Sequence, residues 1–376
     1  MRKVVQLCSF ESVYNEKLQR ELINSPRFSD SYELSSIYFD NELKKYQEKY
    51  QPPYSNLNRI QKLIFWRRMS QYLYSIVPTD PERDILHIQF VDFRFLFVLP
   101  YIRKSCKKII ISFWGSDLLR QTKRNLKLLL LLFRTTDLIT FETQEMINAF
   151  ESVMGNKYRD KYRTVKFGLS GLDEQDRASR EETEDFKKAH HIPDDRTIVV
   201  IGYNRIVQQQ HLAVIKSLIE AEVSKEKIYI VIPWTYGKEE AGYKEKIEEL
   251  LKGRYDYQFI SGRLSDHEVA CLRKVTDVLV QVQTTDSFSA TMLETLYEKK
   301  TVITGSWLPY DELIRKGITM AFVNDPEETG RMIAAHLEKP LIAEKQLDDN
   351  RVTVRGIASW DSNLKDWIGL YDELSR

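Results

Sequence analysis

The stretch DVLVQVQTTDSFSATMLETLYEKKTVITG, residues 277–305, contains a strand, a polar turn, a helix and a second strand in succession. Apolar residues, many of them β-branched, fill 277–283 and 301–305, whereas 289–300 has the mixed pattern of a helix with one apolar face. The turn offers Ser287 and Ser289 as N-cap residues for that helix. This order predicts two parallel strands joined by a crossover helix.

The same alternation of strands and helices extends through most of the chain. We predict strands at 3–10, 84–90, 107–117, 137–143, 162–170, 196–203, 227–237, 257–262, 277–283 and 301–305, and continuous helices at 118–135 and at 144–155, the latter ending at Gly155. The polar stretch 171–195 separates two series of elements and is predicted to be a linker with a short helix. The fold prediction is therefore α/β, with two Rossmann-like domains, 1–170 and 196–345, facing each other across a cleft. A helical segment, 346–376, is predicted to pack back on the first domain.

Length and composition agree with a globular, two-domain protein. The chain has 376 residues, of which 42% are hydrophobic and 30% are charged. Its three cysteines are widely spaced and form no CxxC pair, which favours a reducing cytoplasm over a disulfide framework or a zinc site. The N-terminus lacks the features of a signal peptide, and the longest apolar run, Leu128–Phe133, is too short to cross a bilayer.

Charge is distributed unevenly along the chain. Residues 1–170 contain 28 Lys and Arg against 18 Asp and Glu, whereas the remainder contains 28 against 37. A basic surface on the first domain would meet an anionic membrane, a lipid-linked phosphate or nucleic acid. Chance, together with attraction between the two domains, is the alternative explanation. The acidic second half and the nearly neutral total argue against nucleic acid.

Two basic segments of the first domain also carry large apolar side chains. In the first, residues 59–77, four apolar or aromatic positions fall near one helical face beside three bases; the apolar set is Ile64, Phe65, Tyr72 and Ile76, and the bases are Lys62, Arg67 and Arg68. The second segment covers 119–134. Such helices can bind the surface of an anionic membrane, which predicts a peripheral location on the inner face of the plasma membrane. Alternatively, both helices simply pack on the sheet.

The turn at 284–289 is the strongest candidate for a site, because ligands of open parallel sheets bind beyond the carboxyl ends of the strands. Asp286 and Glu294 lie on either side of the predicted helix start, with seven residues between them. Free amides of the first helical turn can hold phosphate, and a carboxylate in that helix can accept two hydroxyl protons of a ribose. The alternative is an ordinary strand–cap–helix connection with a solvent-facing Glu294.

This turn resembles the second-domain signature of retaining nucleotide-sugar glycosyltransferases of the GT-B type. That signature is E-x7-E, with a Phe-containing turn between the two carboxylates. The resemblance implies that Asp286 contacts the donor sugar, that Glu294 holds the nucleotide ribose, and that Ser287, Phe288 and Ser289 line the donor site. The chain departs from the family pattern with Asp286 in place of Glu and Ser289 in place of Gly.

A second match lies in VVIGYNRIVQQQHLAVIKSL, residues 199–218. It resembles the strand–loop–helix in which the same family has G-R-x-x-x-x-K, whose Arg and Lys bind the donor diphosphate. The resemblance assigns Gly202 and Asn204 to the donor site and the diphosphate to Arg205, although Arg205 lies three residues beyond the glycine. The Lys is absent, and Gln210 and His211 stand near its place. Arg205 could instead be an ordinary loop arginine.

In the first domain, ISFWGSDLLR, residues 111–120, resembles the family's strand followed by H-G-x-D. Trp114 then takes the His position, Gly115 follows it, and Asp117 either caps the next helix or reaches the substrate. His87 stands near the end of a predicted strand and is either a packed core residue or part of the site. The resemblance places Trp114 and Gly115 on the acceptor side and counts Asp117 among the catalytic residues. We add His87 to the acceptor side because of its place near the end of a predicted strand.

The resemblance implies transfer of a sugar, with retention of configuration, from a nucleotide-sugar donor to a glycan or lipid-linked acceptor in cell-surface polysaccharide synthesis. It implies neither a metal ion nor a cofactor, and the sequence has no D-x-D, G-x-G-x-x-G, P-loop, G-x-S-x-G or H-E-x-x-H motif. The departures from the family pattern leave open a non-catalytic partner of another transferase. A nucleotide-sugar epimerase, which shares the fold, is the third possibility.

Overall fold

The computed structural model describes residues 1–50, 53–286 and 288–376, and these form two compact units. The first unit comprises Met1–Gly168 together with Asn363–Arg376, and the second unit comprises Leu169–Ser362. Each unit contains one six-stranded sheet whose paired strands are all parallel.

The first sheet has the order β2-β1-β3-β4-β5-β6. Its strands are β1 Arg2–Cys8, β2 Tyr32–Tyr38, β3 Ile85–Gln89, β4 Lys108–Ser112, β5 Leu138–Phe141 and β6 Tyr162–Thr164. The inner strands β3 and β5 are buried along their whole length, as expected where helices cover both faces of a parallel sheet. The strand order reverses between β1 and β3, so the loops after these two strands flank the switch point of this sheet.

Nine helices lie within the described part of the first unit. They are α1 Val13–Asn24, α2 Pro26–Ser29, α3 Phe39–Lys49, α4 Arg59–Ile76, α5 Leu99–Ser105, α6 Ser116–Leu119, α7 Lys123–Leu128, α8 Leu130–Arg134 and α9 Gln144–Met154. The helix α9 ends at Gly155, whose φ of +67° is the left-handed conformation that glycine adopts readily, as predicted from the sequence.

The second sheet has the order β12-β11-β10-β7-β8-β9. Its strands are β7 Thr197–Ile201, β8 Ile228–Trp234, β9 Tyr257–Ser261, β10 Val278–Gln281, β11 Thr301–Gly305 and β12 Ala321–Val323. If β7 to β12 are renumbered 1 to 6 and the sheet is read from β9, the order becomes 3-2-1-4-5-6. This is the strand order of a Rossmann sheet. The switch point therefore lies between β7 and β10, and the loops that follow these strands flank it.

The helices of the second unit are α10 Ser170–Arg177, α11 Arg180–Ala189, α12 His211–Glu220, α13 Tyr243–Leu251, α14 Asp266–Val275, α15 Ala290–Tyr297, α16 Asp311–Arg315, α17 Thr329–Glu338 and α18 Glu344–Ala358. A last helix, α19 Trp360–Ser375, begins in the second unit and continues into the first. In the described part of the chain, no helix is long and apolar enough to span a membrane.

The α/β prediction with two Rossmann-like domains is confirmed, but several details differ from the prediction. The stretch 171–195 is not a linker, because its helices α10 and α11 pack against α14 within the second unit. The continuous helix predicted at 118–135 is divided, since Thr122 accepts a hydrogen bond from the Asn125 amide and starts the new helix α7. Two strands, β2 and β12, were not predicted, and both are edge strands.

Candidate active site

The loops at the switch point of the second sheet carry most of the predicted site residues. Residues 202–210 follow β7, residues 282–289 follow β10, and residues 306–310 follow β11. The first two loops are joined directly, because the Thr284 amide donates to the Gln208 carbonyl and the Gln210 side chain donates to the Val282 carbonyl. The Trp307 indole Nε1 donates to the Gln283 carbonyl over 2.9 Å and ties the third loop to the second.

The helix α15 begins beside these loops. Ser289 is its N-cap, and its hydroxyl accepts from the Met292 amide at 3.3 Å and donates to the Gln281 side chain at 3.0 Å. Ser289 is buried, so its hydroxyl stabilises the helix start rather than facing a ligand. Phe288 packs partly against the hydrophobic core of this unit. Ser287, which the sequence also places at the donor site, lies outside the described residues.

Asp286 lies in the loop after β10, and two side chains contact its carboxylate. The Tyr310 hydroxyl donates to its Oδ2, and Gln281 Nε2 lies 3.4 Å from the same oxygen. Burial raises the pKa of Tyr310 well above its ordinary value, and the negative charge of Asp286 adds to this effect. The phenol therefore remains protonated and donates to the carboxylate.

Glu294 lies within α15 and is buried, so the solvent-facing alternative for this residue is wrong. Its Oε2 is 3.3 Å from Arg273 Nε, and Arg273 Nη2 donates to Thr291 Oγ1 at 3.1 Å. A Cβ atom at Gly171 would collide with Glu294 Oε1. The close approach of α10 to α15 at this point therefore requires a glycine. The carboxylate and its arginine thus form a buried ion pair close to the start of α15.

The loop after β7 is shaped by a glycine. Gly202 has a φ of +66°, and a Cβ atom there would lie 2.8 Å from Gln209 Oε1 and 3.0 Å from His211 Nε2. Asn204 is also buried, and its Oδ1 accepts from the Ile206 amide at 3.1 Å. Gly202 and Asn204 therefore fix the path of the loop. The side chain of Asn204 does not face solvent.

Arg205 is half-exposed at the same edge of the sheet. Its Nε donates to the Gly237 carbonyl over 2.7 Å, and its Nη1 lies 3.9 Å from Glu239 Oε2. Arg205 thus braces the loop after β8 and still carries a charged group near the sheet edge. The neighbouring His211 supplies no charge, because burial lowers its pKa to about 3 and the ring nitrogen Nδ1 lies 3.2 Å from the Tyr243 hydroxyl.

Arg273 is a site residue that the sequence analysis missed. It lies on α14, 21 residues before Glu294 in the sequence, and it is the cation paired with Glu294. Arg273 follows Ala270 by three residues, so both lie on the same buried face of α14. A charged residue on an apolar face needs a partner, and this pattern could have marked Arg273 in the sequence. Tyr310 and Gln281 were also missed, and nothing in the local sequence marks them.

His87, which was predicted on the acceptor side of the first unit, has a structural role. His87 is completely buried, with Nδ1 2.9 Å from the Tyr371 hydroxyl and Nε2 2.7 Å from Ser112 Oγ. Burial lowers its pKa to about 3, so the imidazole is neutral. Its prediction as an acceptor-side residue is therefore wrong, since both ring nitrogens are partnered in the interior.

Asp117 is buried as well and braces two loops. Its Oδ2 accepts from the Val91 amide and its Oδ1 from the Trp114 amide, each at 2.8 Å. Burial raises its pKa to about 7, although the hydrogen bonds from backbone amides act in the opposite direction. This geometry assigns Asp117 to the support of the loops and not to contact with a substrate.

Trp114 remains partly exposed in an aromatic cluster at the switch point of the first sheet. Phe10 follows β1, Phe90 follows β3 and Trp114 follows β4, with the Phe10 and Phe90 ring centroids 4.8 Å apart and those of Phe90 and Trp114 5.7 Å apart. The Trp114 Nε1 donates to Gln89 Oε1 at 2.9 Å. Gly115 follows with a φ of +115°, a conformation that suits glycine.

No metal centre is evident in residues 1–50, 53–286 and 288–376, where no group of three or more His, Cys, Asp or Glu side chains could hold an ion. No protein-family model matches the chain, and no curated protein matches it.

Several solved structures of the GT-B fold are similar to the chain. The HepE protein of Anabaena, in complex with UDP and glucose, has a TM-score of 0.71 at 12% identity, covering 99% of this chain and 100% of its own. A glycosyltransferase of Rickettsia africae has a TM-score of 0.69 at 15% identity, covering 99% and 98%. Sucrose-phosphate synthase of Thermosynechococcus elongatus has a TM-score of 0.69 at 12% identity, covering 99% of both chains. The chain therefore has the GT-B fold.

Proposed function

We propose that the chain is a glycosyltransferase that binds a nucleotide-sugar donor at the carboxyl edge of the second sheet. The observation that carries this proposal is the arrangement of Asp286 and Glu294 at the switch point of a Rossmann sheet, on either side of the start of α15. Their spacing is that of the family signature, and HepE, which has the same fold, was solved with UDP and with UDP-glucose.

Each group at this edge takes a definite part in the proposed reaction. Glu294 accepts hydrogen bonds from the ribose, and Asp286 contacts the donor sugar. The first amides of α15 and the guanidinium of Arg205 stabilise the diphosphate as its negative charge grows. The acceptor hydroxyl attacks on the face from which the diphosphate leaves, so the anomeric configuration is retained, and the protein acts by positioning and by charge stabilisation.

The proposed function is tested by incubating the protein with a panel of nucleotide sugars and measuring nucleoside diphosphate release. The panel contains the UDP, GDP, ADP and dTDP derivatives, with and without glycan and polyprenyl-phosphate acceptors. A transferase releases nucleotide only when donor and acceptor are present, and a glycosylated acceptor accumulates. An epimerase returns an isomerised donor instead, and a non-catalytic partner protein changes nothing.

Two variants make the assay specific for the candidate site. Glu294→Gln and Asp286→Asn remove the two carboxylates and should each abolish most of the release. Glu249→Gln, at an exposed position on α13, is the matched control and should behave as the wild type does. Equal activity in all three variants would place the reaction elsewhere.

The acceptor is proposed to be a glycan or a lipid-linked glycan, and the support for a lipid carrier lies on the surface of the first unit. On α4, Ile60 and Leu63 are 70% and 69% exposed, and Ile64 is also exposed. The opposite face of the helix is buried, and it includes Phe65, which the sequence analysis placed on the membrane side. The membrane-facing set predicted from the sequence is thus corrected by the packing of this helix.

This exposed face belongs to a larger surface, which we call the basic apolar surface. Phe97 stacks on Trp66 of α4 with ring centroids 5.0 Å apart, and the turn just before Phe97 contacts α7 and α8. Exposed apolar side chains on these elements make up the surface, namely Ile60, Leu63, Ile64, Phe93, Phe97, Leu128 and Leu131. The same helices also carry exposed bases, namely Arg59, Arg67, Arg68, Lys123, Arg124, Lys127 and Arg134. Apolar side chains surrounded by bases suit the headgroup layer of an anionic membrane.

Membrane binding is tested by co-sedimentation with phosphatidylglycerol liposomes at low and at high salt. Binding should occur at low salt and weaken as salt screens the bases. Leu63→Glu should abolish it, whereas Val352→Glu should not, because Val352 is an equally exposed apolar residue, 74%, on α18 of the second unit. Protein that remains in the supernatant at low salt would favour a soluble acceptor.

A further inference from the structure

The carboxylate of Asp286 is fixed by one residue at the end of the preceding strand, β10, and by one from the loop after β11. Tyr310, beyond the end of β11, donates its hydroxyl hydrogen to Oδ2, and Gln281, the last residue of β10, approaches the same oxygen. Both of these side chains are buried, Tyr310 being 1% and Gln281 0% exposed. A hydrogen bond made by a buried phenol is not exchanged for one with water, so it restricts the carboxylate strongly.

Gln281 connects this carboxylate to the beginning of α15. Its Nε2 also donates to the Tyr310 hydroxyl at 3.0 Å, and its Oε1 accepts from Ser289 Oγ at 3.0 Å. Its backbone carbonyl accepts from Thr304 Oγ1 at 2.9 Å. Tyr310, Gln281 and the N-cap of α15 therefore form one hydrogen-bonded network, in which the donor and the acceptor of each bond are defined.

The loop after β11 is itself held in place. Trp307 lies over Gly305, where any side chain would collide with its ring, and its indole is hydrogen-bonded to the loop that carries Asp286. The Tyr310 ring packs in the hydrophobic core of the second unit. The hydroxyl of Tyr310 is thus presented from a fixed ring and not from a mobile side chain.

We propose that Tyr310 is a positioning residue for sugar transfer, because it holds the Asp286 carboxylate where the donor sugar is contacted. This inference rests on the proposed function. An aspartate is one methylene shorter than the glutamate of the family signature, so its reach depends more strongly on where its carboxylate is fixed. Tyr310 acts through Asp286 on the sugar part of the donor and leaves the nucleotide part unaffected.

The test separates these two parts of the donor. Calorimetry measures the affinity for a nucleoside diphosphate and for the corresponding nucleotide sugar, using the pair from the UDP, GDP and dTDP series that the wild type binds. The dissociation constant of the diphosphate, divided by that of the nucleotide sugar, measures the contribution of the sugar to affinity. In Tyr310→Phe this ratio should fall roughly tenfold, as for loss of a hydrogen bond to a charged group, while affinity for the diphosphate stays within about twofold.

A matched control is available within the same unit. The Tyr297 hydroxyl donates to Asp176 Oδ2 at 2.8 Å, and Tyr297 is also buried. Tyr297→Phe therefore removes a bond between the same two groups at another place, and it should leave the sugar contribution unchanged.

The outcomes distinguish the inference from the function on which it rests. If the wild type binds no nucleotide or nucleotide sugar, the proposed function fails, and the inference fails with it. If the wild type binds both but Tyr310→Phe keeps the same sugar contribution, the inference alone is wrong. Equal weakening of diphosphate and nucleotide sugar would show that Tyr310 only maintains the structure.

Discussion

The two units place different chemistry at the same edge of similar sheets. In the first unit, His87 lies in the middle of β3 and Asp117 follows β4, and the polar side-chain atoms of both bind other groups of the interior. In the second unit, Asp286 and Glu294 lie on either side of the start of α15, and Arg205 lies in the loop after β7. A parallel sheet thus provides the place for a site, and the residues of its loops decide whether that place is charged.

The aromatic cluster completes this comparison. At the switch point of the first sheet stand Phe10 and Phe90, whereas at that of the second stand Gly202 and the loop with Asp286. Phe90 has a positive φ of 60°, which is strained for a bulky residue, so this position is imposed by its surroundings. The first edge offers apolar rings and the second offers charges, which is why we assign the nucleotide to the second.

The largest effect is expected from the buried ion pair of the second unit. Arg273→Met leaves the Glu294 carboxylate buried without this cation and should lower the free energy of unfolding of this unit by about 3–5 kcal/mol. The double variant Arg273→Met, Glu294→Gln should recover most of the loss. Denaturant unfolding measures both, with Arg331→Met on the surface of α17 as the control. A loss below about 1 kcal/mol would contradict the burial of a charged pair.

A somewhat smaller effect is expected at Asp117, which supports two loops of the first unit. Asp117→Ala removes the acceptor of two buried amides, those of Val91 and Trp114, and should lower the free energy of unfolding by about 2–3 kcal/mol. Nucleotide affinity should not change, because this carboxylate supports loops of the other unit. Asp30→Ala, at an exposed position, is the control for unfolding. Weakened nucleotide binding with unchanged stability would reverse the assignment of Asp117.

The buried imidazole of the first unit should make stability depend on pH. Since burial lowers the pKa of His87 to about 3, the unfolded chain takes up a proton below its ordinary pKa while the folded chain does not. Stability should therefore fall as the pH is lowered from 7 to 5, with about 2 kcal/mol attributable to this residue. Unfolding of His87→Gln at several pH values should show a flatter dependence, whereas exposed His191→Gln should not. Identical slopes in both variants would mean that His87 is protonated in the folded protein.

The smallest effect is expected at Arg205, which already binds the Gly237 carbonyl. Arg205→Ala should weaken binding of a nucleoside diphosphate roughly tenfold, the loss expected for one hydrogen bond to a charged group. The melting temperature should hardly change, because the side chain is half-exposed. Arg254→Ala, at a surface position beyond α13, is the control. A loss of stability as large as the loss of affinity would make Arg205 a structural arginine.

The sequence predicts the inner strands of both sheets and misses one edge strand of each, β2 and β12. Inner strands such as β3 and β10 are buried throughout, so their residues form apolar runs that are recognisable at once. The edge strand β2, by contrast, is YELSSIY with only two buried residues, and β12 has three residues. An edge strand has a neighbour on one side only, so its pattern is weaker and depends on the finished sheet.

The candidate site is predictable where it is local in the sequence. Asp286 and Glu294 belong to one strand–turn–helix and could be found from their spacing. Tyr310 and Arg273 come from other elements, and only the packing of the unit brings them to these carboxylates. His87 shows the opposite error, because a polar residue near a strand end can equally well be satisfied inside the unit.

Calorimetric titration of UDP, GDP and dTDP into the wild type and Glu294→Gln tests the central claim, that the second unit binds a nucleotide at this edge. The account predicts that the wild type binds one of these diphosphates and that Glu294→Gln binds it roughly ten- to a hundredfold more weakly, with an unchanged circular dichroism spectrum. Absence of binding to the wild type, or equal affinity in the variant, would contradict it.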